Sequence, residues 1–156
     1  LWYEVPARVR TSHFLVVQWD GYVLNADSWD PSWMRLDYIG PLYQQYPLVG
    51  SGGFSLRSRR LMARVAELVP EWDGTVEDAH RVQATLGAYE DGVVSLNLRP
   101  QMEREGFHYG TAEQAALFAQ GGCDDPAYHV ARPFGFHRKW SNIDFSTGIV
   151  APPPFR

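Results

Sequence analysis

Cysteine, long apolar runs and an excess of positive charge are what this sequence has least of. Cys123 stands alone, so no internal disulfide can form, and the composition suits a reducing, cytoplasmic compartment. No stretch approaches the roughly 20 consecutive apolar residues of a membrane span, and nothing reads as a signal peptide. The net charge of −4 provides no basic footprint, which argues against nucleic acid as a partner. Internal repeats and a domain boundary are absent too, so residues 1–156 read as one domain with a stiff, proline-rich tail over 151–156.

Aromatic residues are plentiful instead, with six Trp and eight Tyr. Many stand beside polar residues, as they do where sugars or other flat polar ligands stack, although filling a core uses the same residues. The densest punctuation is Gly50-Ser51-Gly52-Gly53, followed by the strand-like Phe54-Ser55-Leu56 and by Ser58, a good N-cap for a helix from Arg59 to about Val69. Glycines there permit positive φ and a close approach of backbone to a ligand. A plain strand-to-helix turn would use the same residues.

Upstream, His13-Phe14-Leu15-Val16-Val17-Gln18 is an apolar run of strand length, of the kind buried on both faces of a parallel sheet. It stops at Trp19-Asp20-Gly21, where a carboxylate meets a turn. The aromatic stretch 22–47 reads as an ordered loop with a second short strand at Asp37-Tyr38-Ile39-Gly40. Leu61, Met62, Val65, Leu68 and Val69 share one face of the helix after Ser58. Thr75 with Asp78 resembles a capping box, which also explains Glu77-Asp78, and Thr111 with Gln114 resembles another. Between them a helix is expected after Glu90-Asp91, kinked or restarted at Pro100 and ended by Gly106. The segment 129–137 reads as an edge strand because of Pro133.

Gln18-Trp19-Asp20-Gly21, Trp29, Asp37-Tyr38-Ile39-Gly40, Gly50 to Ser58, Glu90-Asp91 and Phe134-Gly135-Phe136-His137 occur in one order. That order resembles a bacterial and fungal family of glycosyltransferase-like domains, over residues 12–138. Its pattern is Q-x-D-G, Y-D-Y-I-G, G-N-G-G-F-S-L-R-S, E-D and F-G-F-H, with Ser51 here in place of the Asn. The resemblance implies an α/β fold, a small mixed and mainly parallel sheet flanked by helices, like a truncated GT-A nucleotide-diphospho-sugar transferase. Members of that family usually carry further residues ahead of the Gln18 strand, which would hold much of the nucleotide-base pocket, so the resemblance implies either a longer protein of which this sequence is a part or a reduced form.

The implied activity is metal-assisted transfer of a sugar, of the hexosyltransferase class, from a nucleotide sugar to a saccharide or other hydroxyl acceptor. It implies a divalent metal, manganese or magnesium, and no organic cofactor. Asp20 would be the surviving acid of a D-x-D-type motif, with Gln18 in place of the first carboxylate and His137 as second ligand. Asp91, with Glu90 beside it, would take the acceptor's proton, whereas an ordinary N-cap would use the same acids. Gly52, Gly53, Phe54 and Ser55 would line donor or acceptor. Trp19 and Trp29 are stacking candidates or core residues, and Arg57 would meet either a phosphate or a core carboxylate. The rival reading is a non-catalytic carbohydrate- or partner-binding module. A homo-oligomer that completes an exposed sheet edge is a further expectation.

Overall fold

The computed structural model describes residues 4–43, 48–69, 89–138 and 141–152. The Thr75–Asp78 capping box, with its decoy pair Glu77-Asp78, lies outside the described residues. Within them the protein is a mixed α/β structure of small sheets and several helices.

The apolar run after Ser12 forms β1 (His13–Val17), and the turn at Asp20 leads into β2 (Gly21–Val23). The aromatic loop winds through two 3-10 turns, Ala26–Ser28 and Pro31–Arg35, before β3 (Tyr38–Ile39). The segment after the glycines is β4 (Phe54–Ser58), which runs antiparallel between β1 and β3. A second sheet holds β5 (Ala119–Gln120) and β6 (Gly135–His137), with β6 antiparallel to β2 and parallel to β5. β7 (Ile143–Asp144) and β8 (Ile149–Val150) close a hairpin.

Three expectations are corrected here. The sheets are mostly antiparallel, and β5 with β6 is the parallel pair among the described residues. Continuous apolarity at 13–17 does not mark a strand buried on both faces: β1 is a half-buried edge strand. Conversely, β6 is central and fully buried, because pairing starts at Gly135, two residues past the Pro133 that suggested an edge.

Alternation along β4 explains how both its faces can be buried. Phe54 and Leu56 enter the core, where Phe54 packs on Phe118 and Phe134, and Trp33 meets both of these rings with Trp29 beside it. Ser55 and Arg57 turn to the opposite face. α1 (Glu4–Arg8) precedes β1, and α2 (Arg59–Leu68) follows β4 and buries Leu61, Met62 and Val65. α3 (Glu90–Gly92) continues into a π turn, Val93–Asn97, and the chain restarts as α4 (Arg99–Arg104) with Pro100 in its first turn. Gly106 follows at φ 85°, ending the helix where expected. α5 (Ala112–Phe118) carries the Thr111–Gln114 capping box in full.

A buried carboxylate locks this frame. Asp37 is 2% exposed and accepts from the Ser58 hydroxyl at 2.5 Å, the His108 amide at 2.8 Å and the Arg60 guanidinium, whose Nε lies at 2.7 Å. The same Ser58 oxygen caps α2 by accepting from the Leu61 amide at 3.1 Å. Removing Asp37 leaves several donors facing a void, so Asp37→Ala is expected to cost about 3 kcal/mol in urea denaturation. Glu67→Ala, at an exposed pair with Arg64, should leave the midpoint unchanged. Equal effects of the two substitutions would remove Asp37 from this role.

Candidate functional site

The two sheets come together where β1 runs into β2 through residues 18–20 and β4 nears β6, and the polar residues gather there. The Gln18 amide donates to the Gly53 carbonyl at 2.7 Å, just past the paired ends of β1 and β4. The Arg138 amide donates to the Asp20 carbonyl at 2.9 Å, continuing the β2–β6 ladder in which Gly21 faces His137. Residues from the start, middle and end of the chain therefore share one small region.

At its centre stands His137, 2% exposed. Its Nδ1 lies 2.9 Å from Ser51 Oγ and its Nε2 lies 3.3 Å from Asp20 Oδ1. Neither Nε2 nor Oδ1 has a hydrogen-bond partner, although both atoms are buried. Arg138 Nε approaches the other Asp20 oxygen at 3.9 Å. Burial lowers the His137 pKa, against the pull of Asp20.

Gly53 is the floor of this group. A Cβ there would lie 1.9 Å from His137 Nε2 and 2.6 Å from Gln18 Oε1. A Cβ on Gly52 would lie 2.7 Å from Asp91 Cβ and 2.8 Å from an Arg57 nitrogen. Neither glycine has positive φ. Close approach, not left-handed backbone, is what position 52 and position 53 require.

The paired acids occupy the far side of the glycines and do different things. Glu90 is clamped by Arg57, which is wholly buried and also donates from Nε to Ser55 Oγ at 2.9 Å. Asp91 accepts from the Gly52 amide at 3.0 Å on Oδ2 and from the Gly92 amide at 2.9 Å on Oδ1. Its carbonyl accepts from Ser95 Oγ at 2.6 Å, and Tyr43 Oη lies 3.0 Å from that serine oxygen. Arg57 thus meets a protein carboxylate.

Asp20, His137, Gln18, Gly52, Gly53, Glu90 and Asp91 are accordingly brought together. Trp19 is 76% exposed on the turn beside Asp20. Trp29 and Phe54 are not at the cluster; they belong to the aromatic core, Trp29 edge-on to Trp33 at 5.3 Å. Ser55 lies behind the glycines, donating to the Gly52 carbonyl at 2.9 Å. Sequence reasoning missed Ser51, Tyr43 and Ser95 as members of the network. The four-residue step from Asp91 to Ser95 was the available signal, since a helix stacks i and i+4. A separate cavity of about 620 Å³, lined by Arg10, Arg35, Arg59 and Arg60, opens at the opposite end of β1 and β4 and shares no residue with the cluster.

Among the described residues, no group of three or more His, Cys, Asp or Glu side chains gathers as a metal cage. What the cluster does offer is a pair of buried, unsatisfied atoms. Two ligands held about 2.1 Å from one cation stand about 3.0 Å apart at a right angle and about 3.4 Å apart at the tetrahedral angle. The 3.3 Å between His137 Nε2 and Asp20 Oδ1 fits such a bite, with Gln18 Oε1 adjacent.

No curated protein and no solved structure matches the chain. A family model described as "Protein of unknown function (DUF5672)" matches residues 3–137, a span that takes in every member of the cluster. By that match, the chain belongs to the DUF5672 family.

Proposed function

We propose that the cluster transfers a glycosyl group from a nucleotide-sugar donor to a hydroxyl of a saccharide acceptor, with a divalent metal, manganese or magnesium, and no organic cofactor. The GT-A-like architecture implied by the order of the sequence segments is part of the same proposal. The observation that carries it is the meeting of Asp20, His137, Gly52, Gly53 and Asp91 in one region, with Asp20 Oδ1 and His137 Nε2 buried and unsatisfied. Buried polar atoms without partners are rare, and one bound cation would satisfy both of these.

Asp20 and His137 would hold the metal, with Gln18 Oε1 next to them. A divalent cation there supplies positive charge to a leaving diphosphate. Asp91 takes the acceptor's proton. Each of its oxygens accepts one backbone N–H and keeps a second lone-pair direction for that proton. In a direct displacement the acceptor oxygen bonds to the anomeric carbon, the bond to the diphosphate oxygen breaks, and the diphosphate leaves with both electrons. Glu90 neutralises Arg57 and holds the start of α3, so Asp91 alone acts as base. The bare main chain of Gly52 and Gly53 lets His137 and Asp91 close in on the loop, and the Trp19 ring beside Asp20 offers a stacking face.

One observation favours the rival reading, a binding module without catalysis. Both acids are already engaged, Glu90 by a guanidinium and Asp91 by two amides. Calorimetric titration of a nucleoside diphosphate with Mn²⁺ separates the two. Binding to the protein that disappears in Asp20→Ala and in Gly53→Ala is expected for the transferase. A saccharide that binds while no nucleotide does would support the module. In a transfer assay Asp91→Asn is expected to lower kcat by about 10²–10⁴-fold in protein that stays folded, and undiminished turnover would exclude Asp91 as base.

A further inference from the structure

A neutral imidazole carries one N–H and one lone pair, and in His137 the surroundings decide which nitrogen has which. With the proton on Nε2, the ring would turn a buried donor toward Asp20 Oδ1 at 3.3 Å without reaching hydrogen-bond geometry. With the proton on Nδ1, the ring donates to Ser51 Oγ at 2.9 Å, the distance of a good N–H···O bond. The Nε2 lone pair and the Asp20 oxygen then face the same gap. Two acceptors around one gap repel each other when it is empty and cooperate when it holds a cation.

Ser51 is well placed to impose this choice. The amides of Gly50 and Ser51 both donate to the Pro41 carbonyl, at 3.2 and 3.1 Å, so the loop is anchored independently of the ring. Gly53 brings the ring close from below without a side chain of its own. Position 51 thereby becomes the partner that orients a metal-ligating histidine from its far nitrogen, an arrangement that raises metal affinity by fixing tautomer and ring angle together.

We infer that Ser51 is a positioning residue: its hydroxyl oxygen holds His137 in the Nδ1–H tautomer and so aims the Nε2 lone pair at the cation shared with Asp20. This inference rests on the metal reading above, but its first test needs no metal. In long-range ¹H–¹⁵N spectra of the metal-free protein at pH 8, His137 should show a protonated Nδ1 and an unprotonated Nε2. Ser51→Ala should shift the population toward Nε2–H, and Ser51→Thr, which keeps the oxygen, should restore it. Calorimetric titration with Mn²⁺ alone should then show about 10–100-fold weaker binding in Ser51→Ala, recovered in Ser51→Thr.

An Nε2–H tautomer in the unaltered protein would overturn the inference, whether or not the variants fold. So would Mn²⁺ binding that is lost in Asp20→Ala and unchanged in Ser51→Ala, a result that leaves the metal reading standing. A tautomer that responds to Ser51 in a protein with no affinity for Mn²⁺ would uphold the hydroxyl's hold on the ring, but overturn the metal reading and, with it, the inferred purpose of that hold.

Discussion

A methyl group on Gly53 would stand 1.9 Å from His137 Nε2, and one on Gly52 would stand 2.7 Å from Asp91 Cβ. Carbon and nitrogen cannot approach so closely, so the cluster can exist only around a main chain stripped of side chains. Everything else in the region follows from that proximity. With the glycines bare, the Gln18 amide reaches the Gly53 carbonyl, the Gly52 amide reaches Asp91, and the ring of His137 lies over the turn. The contact of Ser51 with His137 ties the loop ahead of β4 to the end of β6, where the strand ends of the two small sheets present polar groups.

Arg57 gives the region its second constraint. A guanidinium with no exposed surface is costly unless its charge is matched and its donors are used. Glu90 supplies the charge, Ser55 Oγ and the Gly52 carbonyl take further donors, and the Tyr38 ring lies 5.3 Å below the guanidinium carbon. This network fixes where α3 begins, and Asp91, one residue on, is presented to Gly52 as a consequence. Two adjacent acids of the same type thus separate into a structural anchor and a carboxylate facing the cluster. The distinction is made by β4, whose alternation sends Arg57 to that side.

Local features were the most legible in the sequence. The Ser58 cap, the apolar face of α2, the restart at Pro100, the glycine stop at 106 and the Thr111 capping box are each written within a few residues, and each is observed. Strand order was not legible, because an apolar pentapeptide such as 13–17 packs equally well as a parallel or an antiparallel neighbour, and proline at 133 says nothing about pairing that starts at 135. The companions of the cluster divide in the same way. Asp20, the double glycine and His137 stood out as residue types at turns and strand ends. The partner of Arg57 could not be read, since nothing in the sequence tells a buried guanidinium from an exposed one. Trp29 and Phe54 misled for the converse reason: beside polar neighbours, a core aromatic and a ligand platform look alike.

The account turns on whether the gap between Asp20 and His137 attracts a cation. Anomalous diffraction from crystals soaked in Mn²⁺ and a nucleoside diphosphate addresses this directly. The account predicts one strong peak about 2.2 Å from both Asp20 Oδ1 and His137 Nε2, with the diphosphate against it. A map with no peak there, or with manganese bound only at unrelated surface carboxylates, would contradict it.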